Sequence, residues 1–227
     1  ALVLAGCALF AVMVGVRAGA SGDTPVDLAL VLAIDCSYSV DAREFGLQTE
    51  GMADAFDHPA VRGAIRSGPT GRIAVAVVQW SGADDQALAV PWTIVGTDDE
   101  IDRLARRIRL LPRVSEEGAT SITGMIDYAR VLFAGLDAPT ERRTLDIVAD
   151  GINNIGGWTR PARDRALREG ITINGLAIEN EVFYLRHWFR NHVIGGANAF
   201  VLDVDGYEDF APAFRVKLIR EIRPEIL

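Results

Sequence analysis

Three short segments of this 227-residue chain concentrate side chains able to hold a hard cation. The first is Asp35-Cys36-Ser37-Tyr38-Ser39, where an acid and two hydroxyls alternate, so that an extended turn presents all three to the same side. The second is Gly118-Ala119-Thr120-Ser121-Ile122-Thr123-Gly124, a hydroxyl-rich loop that opens a helix, and the third is Asp150-Gly151-Ile152-Asn153-Asn154. Mg²⁺ takes about six oxygens in a near-octahedral array. Ser37, Ser39 and Thr120 would supply neutral oxygens, and Asp35 and Asp150 the negative charge, directly or through water. A cation so held keeps excess positive charge and an open position that a partner's carboxylate can fill. Taken singly, each of these side chains is equally suited to capping a helix or satisfying a loop amide. Metal binding is the better reading only if all five converge.

Convergence depends on the elements that carry them. Val26 to Ile34 is an apolar, β-branched run broken by Asp27, as expected of a strand buried on both faces. Asp41 with Glu44 forms a capping box for a helix to Phe56, which stops before Pro59. Arg72 to Trp80 and Gln86 to Val95 are two strands joined by so short a loop that they must form an antiparallel hairpin. Thr97 with Glu100 caps a helix to Leu111, and a further helix runs from about Thr123 to Leu136. Arg143 to Ala149 is the fourth strand, Trp158 to Glu169 a helix, and Ile171 to Ile178 the fifth strand. Glu181 to Asn191 is expected as helix, Ala199 to Asp203 as a sixth strand, and Tyr207 to Ile222 as a closing helix. The alternation predicts an α/β, doubly wound, mostly parallel six-stranded sheet with one antiparallel edge strand and helices on both faces. In such sheets ligands bind beyond the carboxyl ends of the strands, where Asp35 and Asp150 fall.

Composition narrows the partners. A net charge of −8 and a pI near 4.9 leave no basic field for the phosphates of a nucleic acid. Of the two cysteines, Cys7 lies in the N-terminal apolar stretch and Cys36 follows a strand, so no disulfide framework is expected and Cys36 reads as a buried core thiol. Ala1 to Val16 is almost wholly apolar and is followed by Ala18-Gly19-Ala20, a small-x-small pattern, so residues 1–20 read as a secretory signal peptide and 21–227 as one domain. A retained short anchor, or lipidation at Cys7 in Leu4-Ala5-Gly6-Cys7, is the alternative. After processing no stable membrane span is expected, and the domain is placed in the periplasm or outside the cell.

Other features read as structural. Trp80, Trp92, Trp158 and Trp188 are expected in core or edge packing. His187 and His192 are five apart and share no helical face, which argues against a metal pair. Arg103, Arg106, Arg107 and Arg109 form a solvated helix face.

The three oxygen-rich segments resemble the metal-ion-dependent adhesion site of von Willebrand factor A (vWA) domains. The family's Asp-x-Ser-x-Ser falls on Asp35, Ser37 and Ser39, its Gly-x-Thr loop on Gly118 to Thr120, and its Asp-Gly on Asp150 and Gly151. The resemblance covers about Val26 to Ile222. Within that family the chain also resembles a group of uncharacterised exported bacterial proteins of this fold, marked by Asp150-Gly151-x-Asn153-Asn154-x-Gly156 and Ile173-Asn174-Gly175-Leu176. Tyr38 departs from the pattern, since many relatives carry Gly there. The resemblance implies a Rossmann-like fold and a bound Mg²⁺, Mn²⁺ or Ca²⁺ bridging to an acidic residue of a protein partner in the cell envelope. In relatives the last helix moves with ligand state, which carries over here to Tyr207 to Ile222. The rival function is a metal-dependent hydrolase using a bound water. No His, Lys or third carboxylate is placed by motif to act as its base, and an aspartyl phosphatase would need Asp where Ser37 stands.

Overall fold

A computed structural model describes residues 24–114 and 118–223. The expected signal sequence, with Cys7, lies outside the described residues. The strands are β1 (Leu28–Asp35), β2 (Ile73–Trp80), β3 (Gln86–Val95), β4 (Arg143–Ala149), β5 (Ile171–Ile178) and β6 (Val201–Val204). They form one six-stranded sheet in the order β3-β2-β1-β4-β5-β6. All neighbours pair in parallel except β2 with β3, which puts the antiparallel strand at one edge as expected. The helices are α1 (Ala42–Asp57), α2 (Pro59–Arg66), α3 (Asp98–Arg109), α4 (Ile122–Ala134), α5 (Thr159–Arg168), α6 (Leu185–His192) and α7 (Phe210–Ile222).

β1 explains how the two layers are built. All eight of its residues are buried, and successive side chains face opposite ways. Leu28, Leu30, Leu32 and Ile34 enter a core with Met52 and Phe56 of α1, Ile65 of α2, Ile108 of α3 and Phe214 of α7. Ala29, Val31 and Ala33 enter the opposite core with Met125 of α4, Ala166 of α5 and Phe189 of α6. Successive strands turn away from β1 in opposite directions, towards β2 on one side and β4 on the other. Between β1 and β4 the connections part, leaving a crevice at the strands' carboxyl ends.

Most boundaries lie within two residues of expectation, and three differences go further. Pro59 does end α1, but it also occupies the first turn of α2, which His58 caps by accepting from the Ala60 amide at 3.1 Å. Glu181 to Tyr184 is loop, so the sixth helix starts only at Leu185. The closing helix begins with a single 3-10 turn, Tyr207–Asp209, before α7 proper.

Candidate metal centre

β1 delivers Asp35 to the crevice as its last residue, and the carboxylate is fully buried. Its Oδ1 accepts from the Ser37 amide at 2.7 Å, curling the chain so that Ser37 and Ser39 face back toward the acid. Ser37 and Ser39 share a hydrogen bond between their hydroxyls at 3.2 Å. Ser39 Oγ then donates to Asp150 Oδ1 at 2.6 Å. A continuous polar chain thus joins the segment after β1 to the segment after β4, across 111 residues of sequence.

Thr120 is held at the same place by the third segment. Its hydroxyl stands 3.5 Å from where a Cβ on Gly151 would lie, an ordinary contact distance, which sets it beside the residue that follows Asp150. Asn154 clamps the loop from both sides, with its Oδ1 accepting from the Thr120 amide at 2.9 Å and its own amide donating to the Thr120 carbonyl at 2.9 Å. Asn153 Oδ1 accepts from the Thr123 amide at 2.9 Å, and Gly118 accepts from the Tyr38 amide at 2.9 Å. All five expected site residues therefore converge, and the two asparagines orient the Thr120 loop.

The electrostatics are those of a site short of positive charge. Burial, and then the charge of Asp150, pushes the Asp35 carboxyl up to about 8. Burial likewise raises Asp150, against the lowering effect of its bonds from Ser39 and Tyr207. Asp35 Oδ2 is buried without a hydrogen-bond partner. Two buried carboxylates, one with an orphaned oxygen, and three adjacent hydroxyls fit a hard divalent cation. Among the described residues no group of three His, Cys, Asp or Glu side chains could hold a metal ion. Any metal here must therefore rely on the hydroxyls.

Several supporting residues carried no motif. Tyr207, in the 3-10 turn before α7, donates to Asp150 Oδ2 at 3.1 Å. Gln48 on α1 donates to the Asp35 carbonyl at 3.2 Å. Arg113 donates to the carbonyls of Cys36 and Ser37, both at 3.3 Å. Gln48 alone left a sequence signal, as a polar residue on the buried stripe of an amphipathic helix. Cys36 is buried as expected, and burial pushes its thiol up to about 12, so it stays protonated and unreactive. Trp158 corrects an expectation. It is 81% exposed, because Thr159 and Ala162 take the buried positions of α5 and leave the tryptophan off the helix's leading end.

Comparison with known proteins places this geometry. The profile of the family described as "Protein of unknown function (DUF1194)" matches residues 25–226. The chain belongs to this family. No curated protein sequence matches it. Among solved structures, this DUF1194 chain superimposes on proximal thread matrix protein 1 from the mussel byssus with a TM-score of 0.64 at 15% identity, covering 88% of this chain and 47% of that one. A second structure of that mussel protein, with a zinc-occupied MIDAS motif, gives 0.61 at 15% identity, with 88% and 48% covered. A von Willebrand factor type A protein from Catenulispora acidiphila gives 0.56 at 17% identity, with 87% and 43% covered. The pilus adhesin SpaC from Lactobacillus rhamnosus GG gives 0.60 at 13% identity, with 88% and 30% covered. The chain thus spans less than half the length of these structures. The DUF1194 fold is that of a vWA domain.

Proposed function

We propose that this chain is a divalent-metal-dependent protein-binding module of the cell envelope. Asp35, Ser37, Ser39, Thr120 and Asp150 hold the cation, directly or through water, and a partner's carboxylate completes its coordination. The observation that carries this reading is the Ser37–Ser39–Asp150 hydrogen-bond chain beside the orphaned, buried Asp35 Oδ2. Without a cation, burial of both acids is costly. With one, their charge is balanced and the hydroxyls gain a common partner.

Mg²⁺, Mn²⁺ or Ca²⁺ suits an all-oxygen set. The zinc in the mussel protein's motif and the adhesin description of SpaC support a metal-centred binding role for the fold. Binding rather than catalysis is supported by Tyr207, the titratable group bonded to Asp150. Burial and the nearby acids hold its hydroxyl far above its ordinary value, so it is a fixed donor and not a base. Among the described residues no helix is long and apolar enough to cross a membrane. Export through the N-terminal apolar segment would place the site among envelope proteins.

Titration calorimetry with Mg²⁺ and Mn²⁺ tests the reading. Wild type should bind a divalent ion at or below millimolar concentration, and Asp35→Ala and Asp150→Ala should lose most of that affinity while keeping their circular dichroism spectrum. Wild type that binds neither ion at millimolar levels would end the proposal.

A further inference from the structure

The candidate metal centre opens into a shallow cavity of about 530 Å³ bounded by Tyr38, Thr120, Asn154, Glu181 and Val182. Next to it lies a second cavity of about 320 Å³, bounded by Trp158, Trp188, His192 and, again, Asn154. The shared wall is the residue that clamps Thr120, so the second cavity adjoins the metal face.

The walls of this second cavity are unusual for a protein surface. Trp158 is 81% exposed, and Ile155 beside it is 45% exposed. Trp188 is half-buried and stacks on His192, with ring centroids 5.3 Å apart and planes 24° from parallel. Burial, and then the charges of Arg160 and Arg163, lowers His192 from its ordinary value, so the ring is neutral at pH 7. The groove therefore sets aromatic and apolar walls, Trp158, Trp188 and Ile155, beside the neutral polar side chains of Asn153, Asn154 and Thr159. Its outer flank carries Arg160 and Arg163, which both donate to the Asn191 carbonyl next to His192, with Arg163 also paired to Asp164 at 2.8 Å and Arg160 exposed. Tyr38, 79% exposed, and Phe183, 82% exposed, extend the apolar character to the other loops of this end of the sheet. Several large apolar residues exposed together at one end of a sheet, unlike ones scattered singly, mark a contact surface.

We propose that the partner is an acidic protein segment that places one carboxylate on the metal and a neighbouring large apolar side chain in the Trp158–Trp188–His192 groove. This inference rests on the metal-binding reading above. Three features select that occupant. The metal demands a carboxylate, and the exposed Arg160 beside the groove favours a segment with further negative charge. The groove itself offers two indole faces and no buried charge, which an apolar side chain satisfies and a charged one does not. Trp158 is then an anchor of the kind that dominates interface energetics.

The test is selection of random peptides displayed on phage against the immobilised full chain in Mg²⁺, with elution by chelator. Enriched sequences should pair Asp or Glu with Trp, Phe, Leu or Ile a few residues away. A synthetic peptide of that consensus should bind Trp158→Ala at least about tenfold more weakly than wild type. Trp158→Phe should recover most of the loss, and both variants should bind Mg²⁺ as wild type does. Selection that enriches nothing, or enriches acids without an apolar neighbour, overturns the groove assignment, as does unchanged peptide binding by Trp158→Ala. These outcomes leave the metal reading standing if Mg²⁺ still binds. Absence of Mg²⁺ binding by wild type removes both.

Discussion

The Tyr207 hydroxyl lies 3.1 Å from Asp150 Oδ2 and donates to it, so the turn that leads into α7 is fastened to a carboxylate of the candidate metal centre. Asp150 is fully buried and its other oxygen accepts from Ser39, so the tyrosine is the side-chain donor that serves Oδ2. Tyr207→Phe removes one hydrogen bond to a charged group and should cost roughly 2 kcal/mol. Urea denaturation in chelator measures it. A loss of under a few tenths would mean that water replaces the hydroxyl freely.

Asp35 and Asp150 oppose one another when no cation is present. Burial first, and the Asp150 charge second, raises Asp35 to about 8. Asp35→Asn removes the repulsion but leaves an oxygen to accept from the Ser37 amide. We expect the variant to melt higher than wild type in chelator and no longer to gain stability on adding Mg²⁺. Thermal melts of both proteins, with and without the ion, decide it, and a variant that melts lower in chelator would contradict the electrostatic account.

Much of this architecture was legible in advance. β4 and β5 have the boundaries expected from their apolar runs, because a buried parallel strand needs nearly every residue to be apolar, and β3, the half-buried antiparallel edge strand, is bounded by the hairpin loop before it and Gly96 after it. The placing of Asp35, Ser37, Ser39 and Asp150 at neighbouring strand ends was legible because apolar runs end just before them, and their hydrogen bonds join them. What lay hidden was tertiary. Tyr207 is 57 residues from Asp150, and no local period marks it. α2 was missed because Pro59 was read as a stop when it also fits the first turn of a helix. Trp158 was misplaced because the residue preceding a helix can face either the core or the solvent, and only the packing of Thr159 and Ala162 decides.

A buried charge cluster joins α7 to the sheet at mid-strand. Lys217 is 2.6 Å from Asp146 of β4 and 2.5 Å from Glu221, and all three are buried. Asn174 of β5 also donates to Glu221 at 2.9 Å. Lys217→Met would leave two acids without their cation and should cost about 3–5 kcal/mol at neutral pH. Chemical denaturation reads this directly. A loss below 1 kcal/mol would mean that the acids take up protons at little cost.

The same cluster gives a pH dependence. Burial and then the Asp146 charge raise Glu221 to about 7, against the lowering effect of Lys217 and Asn174. A carboxyl raised in the folded state holds a proton that the unfolded chain releases. Its contribution therefore falls as pH rises from about 4.5 to about 7 and stays low above that. Glu221→Gln cannot release a proton and should lose this slope. Melting both proteins in chelator at pH 5 and pH 8 should show the variant gaining on wild type as pH rises. A constant gap would overturn the assignment.

Asn154 offers the sharpest separation of fold from site. It makes two hydrogen bonds to Thr120, one through its side chain and one through its backbone amide, and only the first is lost in Asn154→Ala. The loop should stay attached while the Thr120 hydroxyl loses its fixed direction, because the Thr120 amide is no longer held. Residues that orient ligands without touching the metal typically lower affinity about 10–100-fold when removed. We expect a Mg²⁺ affinity loss in that range with a melting temperature in chelator close to wild type. Calorimetry and melting on one preparation test both halves. Unchanged affinity would show that Thr120 lies outside the coordination shell, and the metal would then rest on the segments after β1 and β4 alone.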